Sequence, residues 1–368
     1  MTEQVRVGVV GTSWWADLMY LPSLQHHPQA QLAAICGRNA ERAAEMATKY
    51  AIPHVFTDYQ TMIAQGDLDA LIIATPDDLH HPIAIAAIDA GLHVLCEKPL
   101  ALSTAHARAM YERAEEAGVV HMALFTYRFL PHIRYLCQLL ADGYIGRCYD
   151  AQFRLYGNYG RGEAYSWRFD RRRAVGILGD LGSHIIDLAR LTVGEIARVN
   201  AQLGTFVERP GADDHPPDPA NDSALLTVAF ANGAQGVIHT SALVELAERG
   251  MEQQIVLHGD AGTLEVDLHL EGPSSGATIR GARRGDPSFR TLPIPTELWG
   301  GVDSTTPFMT HCFELFATQS VGPRLFVDSI LANQPVSPSF YDGMRAQQVI
   351  DAAIESHQSG RWVALAQE

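Results

Sequence analysis

The sequence predicts an α/β N-terminal domain on a parallel, doubly wound sheet, followed by an α+β domain with a largely antiparallel, open-faced sheet. Two observations carry this. Between residues 5 and 125, short apolar runs rich in β-branched residues alternate with segments of helical period. Those runs do not alternate polar with apolar, as expected of strands covered on both faces. After Phe125 the character changes, and from Cys148 the chain is strand-rich with strands that do alternate, the mark of a sheet with one face open.

Taken in order, the first strands are read at Val5–Val10, Gln31–Cys36, Ala70–Ala74, His93–Cys96 and Val119–Phe125. Helices are read at Trp14–His27, Ala40–Tyr50, Pro82–Ala90 and Thr104–Ala117, with Asn39 and Ser103 as N-caps and Gly91 and Gly118 as stops. This alternation gives a doubly wound parallel sheet. Pro131–Ala141 is the next helix. Strands follow at Tyr149–Tyr156, Arg198–Phe206, Leu225–Phe230, Gln235–Ser241, Gln254–His258 and Thr263–Asp267, interrupted by a helix over Gly182–Thr192. Asn232-Gly233 between two strands marks a hairpin. The Pro- and Asp-rich stretch Glu208–Asn221 and the stretch Gly272–Asp286 read as loops. Phe308–Ala332 and Tyr341–Gln358 read as helices and Arg361–Leu365 as a last strand. The domains are expected at 1–125 and 126–368, with the C-terminal helix able to pack back on the first.

The chain has 368 residues, with Lys+Arg 27 against Asp+Glu 42 and a net charge of −15. That balance argues against nucleic acid or an anionic membrane as partner. Five scattered cysteines without a C-x-x-C pair suit reduced thiols in a cytoplasmic protein. No signal peptide or transmembrane run is read. The cluster Arg171-Arg172-Arg173 reads as a solvated loop.

The opening Val5-Arg6-Val7-Gly8-Val9-Val10-Gly11-Thr12-Ser13-Trp14-Trp15-Ala16 has the layout of a dinucleotide fingerprint without its letters. Gly11 stands at the sharp turn out of the strand. Ser13 stands where backbone approaches pyrophosphate, and Ala16 where helix packs on strand. Backbone N–H groups at this helix start, with the helix dipole, would face the pyrophosphate. An ordinary βα turn is the competing reading. Trp14-Trp15 is read evenly as packed core or as a cover for cofactor or substrate. The second strand ends Cys36-Gly37-Arg38-Asn39, where an NAD enzyme usually carries an acid for the ribose 2′-hydroxyl. Arg38 suits a 2′-phosphate and Gly37 leaves room for it, so NADP(H) is expected over NAD(H), with NAD(H) possible.

Three segments carry catalytic residue types. They are Thr75-Pro76-Asp77-Asp78-Leu79-His80 at a strand end, Glu97-Lys98-Pro99 after another strand, and Gly179-Asp180-Leu181-Gly182-Ser183-His184-Ile185-Ile186-Asp187. Lys98 lies at the carboxyl edge of the expected parallel sheet, where ligands of such sheets bind. Asp180 and His184 are four residues apart and share a face if helical, whereas a helix starting at Gly182 leaves Asp180 in a loop. Alone, such a lysine is usually a surface charge and such a pair a structural hydrogen bond. A zinc reading of His80, His81 and His184 lacks supporting spacing, so no metal is expected.

Together, the E-K-P triplet, Tyr127-Arg128-Phe129-Leu130-Pro131, the G-D-x-G-x-H-x-x-D segment and Gly360-Arg361-Trp362 resemble the Gfo/Idh/MocA oxidoreductases (the glucose–fructose oxidoreductase and inositol dehydrogenase family) over nearly the whole chain. The glycine fingerprint departs at Ser13 and Ala16. The resemblance implies a Rossmann domain and a substrate-binding, oligomerising domain. The enzyme would transfer hydride between nicotinamide and a secondary alcohol or ketone of a sugar, sugar derivative or cyclitol. It implies Lys98, Asp180 and His184 as catalytic residues, with Lys98 and His184 sharing the proton work. It implies Gly11, Thr12, Ser13, Trp14, Trp15, Gly37, Arg38, Asn39, Thr75, Pro76, Asp77, His80, Glu97 and Lys98 toward the cofactor. Arg128, Arg168, Asp180 and His184 would face the substrate, although an ion pair between domains is an equal reading of the two arginines. A homodimer or homotetramer through the C-terminal sheet is expected. An NAD-dependent glycoside hydrolase of the same family and a non-catalytic cofactor-binding regulator are the alternatives.

Overall fold

Val5–Val10 (β1) is the first strand of the computed structural model, which describes residues 4–211, 215–301 and 307–366. The chain divides into two compact units, Met1–Phe125 with Cys312–Arg345 and Thr126–His311 with Ala346–Glu368.

In the first unit a π-helical turn, Ala16–Tyr20, runs into Leu21–Gln25 (α1), so the helix expected from Trp14 opens wide. Ala30–Cys36 (β2) and Ala40–Tyr50 (α2) follow. Asn39 caps α2, its carbonyl oxygen accepting from the Arg42 N–H at 2.9 Å. His54–Phe56 (β3) and Tyr59–Gln65 (α3) escaped the sequence reading. The strand is short and largely exposed and lacks an apolar run, though Asp58 in front of α3 is a legible cap. Ala70–Ile73 (β4), His80–Asp89 (α4), His93–Cys96 (β5), Thr104–Ala117 (α5) and His121–Ala123 (β6) complete the alternation. Ser103 caps α5 and Gly118 ends it. The final strand is shorter than Val119–Phe125.

All six strands are parallel, in the order β3-β2-β1-β4-β5-β6. Strand order reverses between β1 and β4, and ligands of doubly wound sheets bind at that switch point, beyond the carboxyl ends. β1, β4 and β5 are buried nearly throughout, which explains their unbroken apolar letters.

The second unit begins with Pro131–Ala141 (α6), Pro131 occupying the first turn where its missing N–H costs nothing. Cys148–Gly157 (β7) leads to Ser183–Thr192 (α7), Ile196–Gly204 (β8), Ser223–Phe230 (β9), Gln235–Ser241 (β10), Met251–Gly259 (β11), Gly262–His269 (β12), Gly276–Arg283 (β13) and Arg290–Thr291 (β14). Phe308–Thr318 (α8) and Pro323–Ala332 (α9), which from Cys312 onward belong to the first unit, replace the single helix expected over Phe308–Ala332; Pro323 cannot continue a helix and starts a new one. Phe340–Ser359 (α10) and Val363–Ala364 (β15) close the chain. The nine strands run β14-β13-β12-β11-β7-β10-β9-β8-β15, all pairs antiparallel except β10 with β7. The expected loop Gly272–Asp286 contains β13, whose polar, Arg-rich letters hide its pairing to β12. Residues 212–214 of the Glu208–Asn221 stretch lie outside the described residues, while Ala220 and Asn221 at its end are buried.

Alternate positions of β7 and β11 point into a core holding Phe153, Leu155, Ile255 and Leu257. On the other face Leu225 and Val237 are exposed. Under the sheet, His132 of α6 is fully buried, its Nε2 lying 3.1 Å from Gln253 Oε1. Burial lowers its pKa to about 4. The unfolded chain protonates this residue near 6.5 and the folded chain only near 4. Between those values the unfolded state binds the extra proton, so stability falls as pH drops through that window. This one residue accounts for up to roughly 3 kcal/mol. Urea midpoints at pH 7 and pH 4.5 test it: His132→Gln should lose less stability over that interval than wild type, and an equal loss would contradict the assignment.

Candidate functional site

The carboxyl edge of the parallel sheet gathers Gly11, Gly37, Ala74 and Glu97, each directly after a strand. Gly11 adopts φ +124, and a Cβ there would lie 2.2 Å from the Ala74 carbonyl oxygen. Only glycine lets the chain leave β1 this close to the end of β4. Ser13 Oγ accepts from the Ala16 N–H at 3.2 Å, which organises the first helical turn. At Gly37 a Cβ would meet the Thr12 methyl at 2.5 Å. The expected room at Gly37 is thus taken up by Thr12. Arg38 beside it is exposed. Asn39 spends its side-chain oxygen on the cap of α2. The Thr75 hydroxyl is buried without a hydrogen-bond partner among the described residues. An orphaned hydroxyl and a side-chain-free turn at the switch point fit a bound dinucleotide, which would supply polar groups to both.

His80 opens α4 and is fully buried. Its Nδ1 lies 2.9 Å from the Pro99 carbonyl oxygen and its Nε2 3.0 Å from that of Thr75. Burial lowers its pKa against the pull of these two carbonyls. Both ring nitrogens face backbone carbonyls, of which the neutral ring donates to one, so His80 sits wedged between the E-K-P turn and the end of β4. Asp77, in the short helical turn Asp77–Leu79, is also buried.

Trp15 and Trp14 meet edge to face at 5.3 Å, but they do not form a buried pair. Trp14 is 59% exposed, while Trp15 packs edge-on against Phe313 and donates its indole N–H to Glu97 at 2.7 Å. The fully buried Tyr20 donates its hydroxyl to the same Glu97 oxygen. The other oxygen of Glu97 accepts from the Lys98 N–H at 3.1 Å. The Lys98 side chain itself is half-buried.

In the second unit a π-helical turn, Leu178–Gly182, feeds α7. Asp180 is therefore helical, not a loop residue. Its carboxylate accepts from the Tyr159 hydroxyl at 2.6 Å and pairs with Arg168 at 3.2 Å. The Arg168 guanidinium also lies over the Trp167 ring, 4.5 Å from its centroid. Although 43% of Tyr159 is exposed, burial at its hydroxyl end and the Asp180 charge raise its pKa well above 10. The phenol thus stays protonated and donating at neutral pH. Sequence reasoning missed Tyr159, since a tyrosine after a strand carries no signal of its own. His184 is buried, with the Tyr127 ring edge-on at 4.7 Å. One turn on, Asp187 is fully buried and takes a two-pronged ion pair from Arg128, whose Nε donates at 2.7 Å. Arg128, expected toward substrate or between domains, braces the helix that carries His184. Arg168 instead stays beside Asp180. Among the described residues no group of three or more His, Cys, Asp or Glu is placed to hold a metal, and no helix is long and apolar enough to cross a membrane.

Residues 5–125 match the family model described as "Oxidoreductase family, NAD-binding Rossmann fold", and residues 138–365 match "Oxidoreductase family, C-terminal alpha/beta domain". A levoglucosan dehydrogenase of Pseudarthrobacter phenanthrenivorans is 32% identical over 90% of this chain and 89% of its own length. The scyllo-inositol 2-dehydrogenase (NADP(+)) of Bacillus subtilis is 39% identical over 36% of this chain and 40% of its length. Among solved structures, levoglucosan dehydrogenase in complex with NADH and levoglucosan superposes with a TM-score of 0.86 at 29% identity, covering 99% of this chain and 100% of that one. An oxidoreductase domain protein from Kribbella flavida reaches 0.87 at 29% identity, covering 100% of each chain. With both of its units matched, this chain belongs to the Gfo/Idh/MocA family of nicotinamide-dependent oxidoreductases.

Proposed function

We propose that this protein transfers hydride between NADP(H) and a secondary alcohol or ketone of a sugar, sugar derivative or cyclitol, with Lys98, Asp180 and His184 carrying the proton chemistry. The observation that carries the reading is the glycine turn packed on the Ala74 carbonyl at the switch point, with Glu97-Lys98 at the same sheet edge. Relatives named for levoglucosan, D-xylose and scyllo-inositol support a polyhydroxylated substrate.

The backbone of Gly11-Thr12-Ser13 and the first turn after it would hold the pyrophosphate, and the Thr75 hydroxyl would find a partner there. A bound nicotinamide supplies the hydride acceptor. The carbinol hydroxyl must lose its proton as hydride departs, which calls for a base within hydrogen-bond reach. Lys98 and His184 share that work in this reading. Asp180, held by Tyr159 and Arg168, grips a substrate hydroxyl or orients His184. Subunit association through the open sheet face bearing Leu225 and Val237 belongs to the same reading, and light scattering of the purified protein tests it.

A panel of sugars and cyclitols, followed at the reduced-nicotinamide absorbance band with each cofactor, tests the function. Turnover with at least one polyol is expected. Net glycoside cleavage without cofactor turnover would favour the hydrolase alternative, and no cofactor binding would overturn the reading. The preference rests on Arg38: a charge-assisted pair to a 2′-phosphate is worth about 1.5–3 kcal/mol. Arg38→Ala is therefore expected to lower kcat/KM for NADPH by about 10- to 100-fold, leaving that for NADH nearly unchanged. Equal effects on both cofactors would remove the basis for NADP(H).

A further inference from the structure

Glu97 stands in the E-K-P triplet at the sheet edge, where its carboxylate could face a cofactor. Its hydrogen bonds run elsewhere. One oxygen accepts from both the Trp15 indole, at 2.7 Å, and the Tyr20 hydroxyl. The other accepts from the backbone N–H of Lys98 at 3.1 Å. The two donors sit at either end of the wide turn Ala16–Tyr20 that follows the glycine turn. They are themselves fixed: Tyr20 is fully buried, and Trp15 is flanked by Trp14 and Phe313. On the far side of Lys98, the Pro99 carbonyl faces the buried His80 ring.

A carboxylate with three donors aimed at it is rigid, and a charge-assisted bond is stronger than a neutral one. A side chain that needs a particular direction benefits from having its backbone held this way. The π-helical opening of the first helix acquires a reason as well. It brings an indole and a phenol, five residues apart, onto one carboxylate oxygen.

We propose that Glu97 is a positioning residue and not a cofactor ligand, and that Trp15 and Tyr20 hold it so that the Lys98 ammonium keeps its catalytic direction. This rests on the oxidoreductase reading above. It assigns Trp15 and Tyr20 a place in the reaction although neither touches the reacting atoms. It also links the cofactor-binding turn to the lysine through a single side chain.

The test is a double-mutant cycle on the full-length enzyme, using Trp15→Phe, Tyr20→Phe and Glu97→Gln. Phenylalanine keeps an aromatic ring at each donor position and removes the donor, at Trp15 together with part of the indole's volume. The measurements are kcat and KM on the best polyol of the panel, and Kd for NADPH and NADH from nicotinamide fluorescence. Misplacement of a reacting group by about 1 Å costs up to about 100-fold, so each single variant should lose roughly 10- to 100-fold in kcat. The cofactor Kd should stay within about 2-fold of wild type. In the Glu97→Gln background, Trp15→Phe should lower kcat little further, because residues acting through one group are non-additive. Trp15 is only half-buried, so Trp15→Phe remains informative even should Tyr20→Phe not fold. Unchanged kcat in Trp15→Phe, additive losses, or a loss confined to cofactor Kd would each overturn the proposal. A wild-type protein that binds neither cofactor would instead overturn the oxidoreductase reading beneath it.

Discussion

Lys98→Ala is expected to lower kcat by about 10²- to 10⁴-fold while leaving the Kd for cofactor within a few-fold of wild type. A positioned acid–base group contributes on that order, and this account asks Lys98 for nothing more. Its backbone amide is pinned by Glu97 and the next carbonyl faces His80, so loss of the side chain should leave the sheet edge in place. Lys98→Arg is the sharper control. Arginine keeps the charge, yet its guanidinium does not give up a proton at any working pH. It should therefore be nearly as inactive as alanine. Steady-state kinetics with fluorescence titration of the cofactor checks both variants. Activity within a few-fold of wild type in Lys98→Ala would remove lysine from the mechanism, and an active Lys98→Arg would recast it as an electrostatic anchor.

The second large effect concerns stability. Asp187→Ala removes the fully buried carboxylate that pairs with the Arg128 guanidinium, whose side chain is 11% exposed. Removing one member of a buried pair costs about 3–5 kcal/mol, a large share of the 5–15 typical of folded proteins. The expected drop in Tm is on the order of 10 °C. Replacing both members by apolar side chains, as in Arg128→Met with Asp187→Leu, should recover most of that loss, since no buried charge is then stranded. Thermal unfolding of the two variants checks this. Equal destabilisation in single and double variants would show that the pair contributes net attraction beyond its own desolvation cost. Activity should fall in the single variant too, because Asp187 lies one turn from His184 on α7.

Much of the first unit was legible because a buried parallel strand leaves an apolar run and a helix leaves a cap. Asn39, Ser103 and Gly118 mark their boundaries in single letters. What escaped lacked those marks. β3 is a short exposed edge, and β13 holds its place through backbone pairing while its letters are polar. The broken α8–α9 pair was flagged by Pro323 and read through nonetheless.

At the site, residue types were legible but their partners were not. Arg128 resembles a substrate arginine until Asp187, 59 residues away, is seen to hold it. His80 resembles a cofactor contact until both of its nitrogens are found on backbone carbonyls. Trp15 could not be told from core packing, because its donor meets Glu97 82 residues further on. Pairings at such sequence separation leave no periodic trace. Tyr159 became visible only through its bond to Asp180.

Isotope transfer tests the central claim most directly. A polyol substrate deuterated at its carbinol carbon is turned over with oxidised cofactor, and the reduced cofactor is recovered for mass spectrometry. Direct hydride transfer predicts one deuterium on the nicotinamide of each reduced molecule. Reduced cofactor without deuterium, or substrate consumed with no reduced cofactor formed, would contradict the account.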